Sequence, residues 1–374
     1  MKIQEWAAKW KVIFSPAKSK DIIFSRNKVL FNSPPLVLNN TYISRVHQHK
    51  HLGVWLTSSL DWSKQIHEAC LKANGKLAVL RSCKFLDRAT LDLLYKLTIR
   101  SVLEYGIVIF FHSLKLTDKA WLAQVQYRAA KLCTGALHLT SQIKLEKDLS
   151  WETISDRADF LALCLFHKIA LHMTRPLIRK CMPILNEIPQ LSRASNRYKP
   201  STIKQEYFLK SFFPQITLKY NELKKELYCE RDISEFKSKL KLKYKNKKIK
   251  HYNRGISNYS NSLHTQLRVG RSYLHAHGFV IGLEPSDLCL CWRPESVNHY
   301  FHSCFLYQSE RELLYSTVSK YIPNFNTQSL TRKTEILLNG INLQNHEPDP
   351  RNIPILFAVQ TFILQTKRFS TTSS

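Results

Sequence analysis

The stretch of sequence that decides the fold class is residues 63–80, which read SKQIHEACLKANGKLAVL. Apolar residues recur there at spacings of three and four, so Ile66 and Leu77 fall on one face of a helix. Asp61 or Ser63 is the expected N-cap, because a short polar side chain can accept a hydrogen bond from a free amide of the first turn. The pattern predicts an amphipathic helix that buries its apolar face.

Three further stretches have the same helical periodicity. They are residues 91–105, started by Asp87, residues 121–133, closed by Gly135, and residues 154–169, opened by Ser150. Residues 63–172 are therefore predicted to form a helical bundle. The preceding segment differs, because its short apolar runs between turn residues predict strands at 11–14, 22–24, 36–38 and 52–56. The predicted fold class is α+β, predominantly helical.

Composition divides the chain into five segments. A length of 374 residues is enough for two or three domains, each with its own core. The predicted segments are 1–62, mixed helix and strand; 63–172, the helical bundle; 173–261, a connector punctuated by proline and rich in lysine; 262–320, a module with clustered cysteine and histidine; and 321–374, a tail with one helix at 353–367.

The charge of the chain indicates its partner. There are 56 Lys and Arg residues against 28 Asp and Glu residues, a formal net charge of +28. An enzyme of small neutral metabolites needs no such field, whereas nucleic acid is the usual polyanionic partner of a basic protein. An anionic membrane surface is the second alternative, and a soluble protein that is basic without a polyanionic partner is the third.

A lysine run carries much of this charge. Residues 193–254 contain 18 Lys and Arg and 6 Asp and Glu, a net of +12. The alternating lysines are expected to line one side of an extended segment or to stay mobile, and the alternative is a solvated linker. Tyr244 and Tyr252 lie among them and offer surfaces on which bases of RNA or single-stranded DNA could stack. The predicted contacts are Lys237, Lys239, Lys241, Lys243, Tyr244, Lys245, Lys247, Lys248 and Lys250.

The most specific chemical signal is a group of three cysteines and one histidine. Cys289, Cys291, His299 and Cys304 lie within 16 residues, and zinc prefers four tetrahedral sulfur and nitrogen ligands. Such a site is closed and structural, with no open catalytic position. The Cys-x-Cys pair is tighter than the usual Cys-x₂-Cys hairpin, and three coincidental cysteines in a loop are the alternative. His302 is a second choice for the histidine ligand.

The other cysteines indicate an intracellular protein. Cys70, Cys133 and Cys164 are single and lie in apolar helical patterns, which is typical of reduced buried thiols in the cytoplasm or nucleus. The first residues, 1–11, are polar and do not resemble a signal peptide. No apolar stretch reaches the roughly 18 residues of a membrane-spanning helix. We therefore expect neither secretion nor a membrane location.

The sequence lacks the familiar catalytic strings. It contains no adjacent Asp-Asp pair, no Walker motif, no Gly-x-Ser-x-Gly and no His-Glu-x₂-His. Two-metal phosphoryl transfer needs converging carboxylates, and Asp156 and Asp159, three apart on a helix, are expected to face solvent. His47, His49 and His51 alternate, so they could share one side of a strand, either as metal ligands or as an exposed polar strand start.

Several motifs, in order, resemble non-LTR (LINE-type, jockey-like) retrotransposon reverse transcriptases. WKVIFSPAKS at 10–19, followed by IIFS at 22–25, resembles the segment after the catalytic Asp-Asp of that family, with Ser15 in place of the usual Asn. KHLGV at 50–54 looks like the family's primer-grip turn. The remaining similar stretches are LDWS at 60–63 and LEYG at 103–106 in the thumb, LRVG at 267–270 with Arg271 in place of His, and the C-terminal element with Cys289, Cys291, Glu295, His299, Cys304, Tyr307 and Arg311.

The resemblance, which runs from about residue 5 to 315, implies roles for particular residues. Lys18 would match a lysine near the incoming nucleotide, a candidate general acid, although an exposed lysine after a turn is the alternative. Leu52 and Gly53 would lie at the primer grip. The Cys/His element would contact template RNA or target DNA. The family's catalytic carboxylates precede the matched region, so Mg²⁺ is expected only where a complete palm is supplied.

These expectations combine into one functional prediction. The chain is expected to be a C-terminal fragment of a retrotransposon RNA-directed DNA polymerase: the end of a palm, a helical thumb, a basic connector and a zinc-like module. It would bind RNA or an RNA–DNA hybrid through phosphate contacts and be inactive alone. The alternatives are an active polymerase subunit, or part of a full reverse transcriptase, and a protein-interaction scaffold built on the helical bundle.

Overall fold

The computed structural model describes residues 2–25, 34–83, 85–174, 176–184, 198–244, 252, 255–341 and 349–370. The chain forms two compact units. The first unit comprises residues 1–72, 103–122 and 161–231, and the second comprises 73–102, 123–160 and 232–374. Helix dominates and strands are few, which confirms the predicted fold class. The five segment boundaries drawn from the sequence stay a prediction.

The helices are short, apart from three long ones that come from the predicted bundle region. Those three are α2 (Ser63–Ser82), α6 (Leu116–Thr134) and α8 (Ile154–Ala170). The other helices are α1 (Lys2–Lys9), α3 (Arg88–Leu94), α4 (Ser101–Glu104), α5 (Ile107–Phe110), α7 (Gln142–Leu149), α9 (Pro176–Arg179), α10 (Glu206–Leu209), α11 (Phe212–Asn221), α12 (Lys225–Tyr228), α13 (Ile233–Tyr244), α14 (Asn258–Val269), α15 (His275–Val280), α16 (Gln308–Ser319), α17 (Leu330–Asn339) and α18 (Asn352–Gln365). A π-helical segment, Tyr95–Arg100, joins α3 to α4. Within the described ranges, no helix is both long and apolar enough to span a bilayer.

The strands of the described part of the first unit form three two-stranded sheets. β1 (Lys20–Asp21) is parallel to β4 (Ser44–Arg45), and β2 (Val37–Leu38) is antiparallel to β3 (Thr41–Tyr42). β5 (Gln48–His51) is antiparallel to β6 (Val54–Thr57), with His51 opposite Val54. The last pair is a hairpin whose two-residue turn is Leu52–Gly53.

Two strand predictions were wrong. Residues 11–14 are not a strand, because the Val12 amide donates to the Ala7 carbonyl oxygen at 2.9 Å and so closes α1 instead of joining a sheet. Residues 22–24 are likewise irregular and follow β1. A short apolar run forms a strand only where a neighbouring strand pairs with its backbone amides and carbonyls.

Of the predicted helix caps, Asp87 and Ser150 have different outcomes. Asp87 caps α3 as predicted, its carboxylate accepting from the Thr90 amide at 3.0 Å. Ser150 does not open α8. It has a φ of +54°, and its amide donates to Lys147 at the end of α7. The cap of α8 is Thr153, whose hydroxyl accepts from the Asp156 amide at 3.0 Å.

Each unit has its own buried core. In the first unit, His167 is fully buried and its ring nitrogens lie 2.6 Å from the Tyr220 hydroxyl and 2.8 Å from the Glu230 carbonyl oxygen. In the second unit, α14, α16, α17 and α18 surround an apolar cluster that includes Tyr300, Phe325 and Phe362. The three cysteines of the Cys/His element belong to this same cluster.

Candidate functional site

The four side chains predicted as zinc ligands come together in the second unit. The ligand atoms of Cys289, Cys291, His299 and Cys304 all lie within 4.8 Å of one another, and all four residues are buried. The Cys289 and Cys304 sulfurs are 3.7 Å apart, and the Cys291 sulfur is 3.0 Å from His299 Nε2. This buried group could hold a metal ion.

A tight loop supplies the first two thiols. The Cys289 amide donates to the Arg293 carbonyl oxygen and the Trp292 amide donates back to Cys289, each at 2.8 Å. Trp292 turns the chain with a φ of +63°. A bulky residue in this region is an outlier, so the tight spacing of the Cys-x-Cys pair is accommodated by unfavourable backbone geometry at Trp292.

A π-turn supplies the other two ligands. Residues His299–Ser303 are π-helical, and the Cys304 amide donates to the His299 carbonyl oxygen at 2.9 Å. A π-turn closes its hydrogen bond five residues along the chain. The five-residue spacing of His299 and Cys304 therefore brings both side chains to the same place.

Two arginines and one buried glutamate form hydrogen bonds around the four candidate ligands. Arg311 donates to the carbonyl oxygens of His302, at 2.9 Å, and Cys304. Glu295, 1% exposed, accepts from the His275 amide at 2.7 Å and takes two bonds of 2.6 Å from the Arg368 guanidinium. Burial raises the pKa of Glu295, but the bonds from Arg368 and the His275 amide outweigh it and the pKa lies below its usual range. The sequence did not predict Arg368 as part of this site.

His302 does not compete with His299 as a ligand. Its Nδ1 lies 2.5 Å from the Tyr315 hydroxyl and its Nε2 lies 2.7 Å from the Thr334 hydroxyl. Both ring nitrogens are thus engaged away from the cysteines. Burial lowers the pKa of His302 to about 4, so the ring is neutral.

The donor set fits a tetrahedral thiophilic cation. Ligands about 2.3 Å from a central zinc lie roughly 3.8 Å apart along a tetrahedral edge, close to the 3.7 Å between the Cys289 and Cys304 sulfurs. Burial raises the pKa of Cys289 to about 12 and lowers the pKa of His299. Both shifts favour the uncharged forms, the thiol and the neutral imidazole. A bound cation reverses this preference at the cysteines, because thiols bind metals as thiolates.

His47, His49 and His51 do not form a second metal site. His49 and His51 lie on β5, and the three rings are not brought together as a ligand cluster. Among the residues that the structure describes, only the Cys/His group gathers three or more such side chains.

The predicted primer-grip residues form the turn of the β5–β6 hairpin. Leu52 has a φ of +46° and Gly53 a φ of +85°, the combination typical of a type I′ turn. The Tyr105 hydroxyl donates to the Leu52 carbonyl oxygen at 2.6 Å, and the Leu52 side chain is 79% exposed. Lys18 is exposed and ends a short 3₁₀ helix, Pro16–Lys18, in the same unit.

Replacing Gly53 with alanine is expected to lower the free energy of unfolding by about 1–3 kcal/mol. The new Cβ would meet the Tyr105 ring at 3.0 Å, and the φ of +85° is strained for any other residue. Gly75→Ala is the matched control, because Gly75 lies within α2 and an added methyl group there would meet nothing within 4 Å. That change is expected to stabilise by about 0.5–1 kcal/mol. Urea unfolding of both variants makes the comparison, and equal effects would contradict it.

The lysine run is helical where the structure describes it, contrary to the extended segment that we expected. Lys237, Lys239, Lys241 and Lys243 lie on α13, whereas Lys245, Lys247, Lys248 and Lys250 lie outside the described residues. Phe236 and Leu240 are fully buried and fix one face of the helix. This spacing of four anchors the helix and overrides the alternation of the lysines, three of which are exposed.

The tyrosines of this region are packing residues. Tyr252 is 2% exposed, and the Arg268 guanidinium lies 3.6 Å from its ring centroid, so the prediction that it stacks on bases was wrong. Burial raises its pKa to about 12. Tyr244 is half-buried and meets Phe160 edge to face at 6.4 Å between ring centroids. Its role in nucleic-acid binding stays a prediction.

A buried ion network went unrecognised in the sequence. Asp148 accepts from Arg88 and from Arg268, each at 2.6 Å, and all three side chains are at most 7% exposed. Burial raises the pKa of Asp148, but the two guanidinium charges outweigh it, and the pKa lies well below its usual range. Arg268 is the arginine of the LRVG string, so this string contributes to the core of the second unit. No periodic pattern marks such a pairing across 120 residues.

The chain is similar to a curated protein, the RNA-directed DNA polymerase from mobile element jockey of Drosophila funebris. The two are 33% identical over 63 residues, a match that spans 17% of this chain and 7% of that polymerase. The chain matches no protein-family model and no solved structure. The match supports a reverse-transcriptase-like relationship.

Proposed function

We propose that the chain binds RNA or an RNA–DNA hybrid as part of a non-LTR retrotransposon reverse transcriptase, with a structural zinc ion in its Cys/His element. The observation that carries this proposal is the outer face of α13. Lys237 and Lys241 are exposed and lie one turn apart, on a side of α13 turned roughly 100° away from the buried Phe236 and Leu240. Lys243 is exposed at the C-terminal end of the helix. A fixed row of ammonium groups suits the phosphate backbone, which is read without sequence preference.

The local and overall charges support the same proposal. Glu235 pairs with Lys239 at 2.7 Å, and the other three lysines of α13 are exposed to solvent. The chain as a whole carries +28. The partial match to a polymerase that copies RNA makes RNA, an RNA–DNA hybrid or target DNA the partners to test first.

The Cys/His element is proposed to bind zinc for structural reasons. All four ligand atoms come from protein, so no position is left open for a substrate or a reactive water. The zinc would cross-link the loop at Cys289 to the π-turn at His299 and so stabilise the apolar cluster of the second unit. We propose no catalytic step for it.

Polymerisation is the second candidate function, favoured by the geometry of the Leu52–Gly53 turn. Its exposed leucine and its hydrogen bond from Tyr105 provide a firm edge against which a primer end could lie. The reaction would need Mg²⁺ held by converging carboxylates. These 374 residues contain no adjacent Asp pair, so the chain would take part in polymerisation only beside a palm that supplies the carboxylates, with Lys18 as an accessory contact.

Neutralising the outer face of α13 is expected to weaken binding of an RNA–DNA hybrid. In Lys237→Ala/Lys241→Ala, the slope of log affinity against log salt concentration should fall by about 2, because each phosphate contact contributes roughly one unit. Fluorescence anisotropy of a labelled hybrid over a salt series measures this slope.

The control is Lys320→Ala/Lys367→Ala, which removes the same charge from two positions elsewhere in the second unit. It should leave the slope close to that of the wild type. Equal losses in the two variants would contradict a site on α13 and leave only general attraction. An affinity that does not change with salt would contradict nucleic-acid binding through phosphates altogether.

A further inference from the structure

The first unit contains an open cleft of about 820 Å³, lined in part by Phe24 of the IIFS string and Trp62 of the LDWS string. One wall is the chain after β6, with Ser58, Ser59 and Trp62, and another is the α10–α11 segment, with Tyr207, Phe208 and Phe212. The volume lies within the range of ligand sites, about 300–1,000 Å³. The cleft is therefore large enough for one or more nucleotides.

Hydrogen bonds fix both walls. The Ser58 amide donates to the His47 carbonyl oxygen at 2.8 Å, and its own carbonyl oxygen accepts from Ser25 at 3.0 Å. On the other side, the Ser113 hydroxyl donates to the Lys210 carbonyl oxygen at 3.1 Å. The α10–α11 segment is thus tied to the chain that follows α5, which favours a cleft that is already formed before a ligand binds.

The lining of the cleft combines aromatic rings with hydroxyl groups. Five aromatic rings and five serine hydroxyls line it, together with two aliphatic side chains. Its single carboxylate, Glu206, is neutralised by Lys210. Aromatic faces stack on planar rings, and a hydroxyl can both donate and accept, so the walls match the faces and edges of an unpaired base. They match a duplex poorly, because bases in a duplex are stacked on one another and their Watson–Crick edges are already paired.

We propose that this cleft binds an unpaired segment of RNA, with its bases stacked on the aromatic side chains around Tyr207. This inference rests on the proposed function, and it adds a second, single-stranded site in the first unit to the phosphate contacts of α13. RNA is favoured over DNA because the serine hydroxyls can also bond the ribose 2′-hydroxyl. Tyr207 is 48% exposed, so its ring can be removed with little effect on the core.

The test uses a labelled ten-nucleotide uridine RNA, the matching deoxyuridine DNA and a fully paired RNA–DNA hybrid. Tyr207→Ala is expected to weaken binding of the single strand about tenfold, the usual effect of losing one stacking ring. Tyr207→Phe, which keeps the ring, should bind within about twofold of the wild type. The control Tyr273→Ala removes a similarly exposed tyrosine from the second unit and should change nothing.

Photo-crosslinking of the wild-type protein to the same RNA carrying 5-iodouridine gives an independent readout that needs no variant. The adducts are expected in peptides that contain residues 58–62 or 207–212. Unchanged single-strand affinity in Tyr207→Ala, or adducts confined to the second unit, would contradict RNA binding in the cleft. If hybrid binding through α13 persisted in either case, the proposed function would still stand. DNA that binds as tightly, with the same dependence on Tyr207, would overturn the assignment to RNA. No binding of any of the three would overturn this proposal and the proposed function together.

Discussion

Replacing Asp148 with alanine is expected to lower the free energy of unfolding of the second unit by about 3–5 kcal/mol. The carboxylate is the shared partner of Arg88 and Arg268, and each ion pair measures 2.6 Å. All three side chains are almost completely buried. Removing the anion leaves two buried guanidinium groups without a counter-charge, which costs far more than the loss of an exposed pair.

The pH dependence of this effect has a definite sign. The folded-state pKa of Asp148 lies below its value in the unfolded chain, because the charges of the two arginines outweigh the effect of burial. Its stabilisation is therefore fully present above about pH 4 and is lost as the pH falls towards the folded-state pKa. The difference in stability between the wild type and Asp148→Ala should shrink at acid pH.

Urea unfolding at pH 7 and at pH 3, followed by circular dichroism, measures both effects. The matched control is Glu335→Gln, which breaks an exposed pair with Arg332 in the same unit. That change should cost at most about 1 kcal/mol. If Asp148→Ala were no more destabilising than the control, the buried network would not be a determinant of this fold.

The parts of the fold that could be predicted are those determined by local sequence. The apolar faces of α2 and α6 recur at helical spacing, and Asp87 caps α3 through a bond to an amide three residues away. The four residues of the Cys/His group lie within 16 positions, so their ligand chemistry was visible without knowledge of the tertiary structure. In each case the decisive contacts are close in the chain.

The wrong predictions concern positions where a local pattern competes with a second, less visible one. Alternation of the lysines suggested an extended segment, but Phe236 and Leu240, four residues apart, bury one side of α13. Ser150 has the side chain of a typical N-cap, yet it is the C-cap of α7. Thr153, three residues later, is the N-cap of α8. Patterns of period two and single capping residues are weak compared with burial.

The features that the sequence could not reveal depend on contacts between distant residues. Asp148 and Arg268 are 120 positions apart, and Glu295 and Arg368 are 73 apart. Tyr252, surrounded by basic residues in the sequence, is buried against Arg268 and bonds the Asn339 carbonyl oxygen at 3.1 Å. From the sequence alone, charged residues and their neighbours are expected at the surface, because most charged side chains in proteins lie there. Only the tertiary packing shows which of them are buried.

Changing a ligand of the Cys/His group is expected to have the largest effect on the second unit. Cys304→Ser should abolish binding of one equivalent of zinc and destabilise the unit by at least several kcal/mol, since the binding free energy of a structural zinc contributes directly to folding. Cys304 is fully buried within the apolar cluster that α14, α16 and α18 share, so the loss should extend beyond the loop itself. Native mass spectrometry gives the metal and its stoichiometry, and thermal unfolding gives the stability.

Three further variants separate metal binding from packing. Cys181→Ser removes an exposed thiol and should leave both zinc content and melting temperature unchanged. His299→Cys keeps four soft donors, as in four-cysteine zinc sites, and should retain zinc, whereas His299→Ala should lose it. A protein purified without metal that is as stable as the zinc-loaded form would contradict the proposal. The cluster would then stabilise the second unit through apolar packing of its thiols, and His299→Cys would have no advantage over His299→Ala.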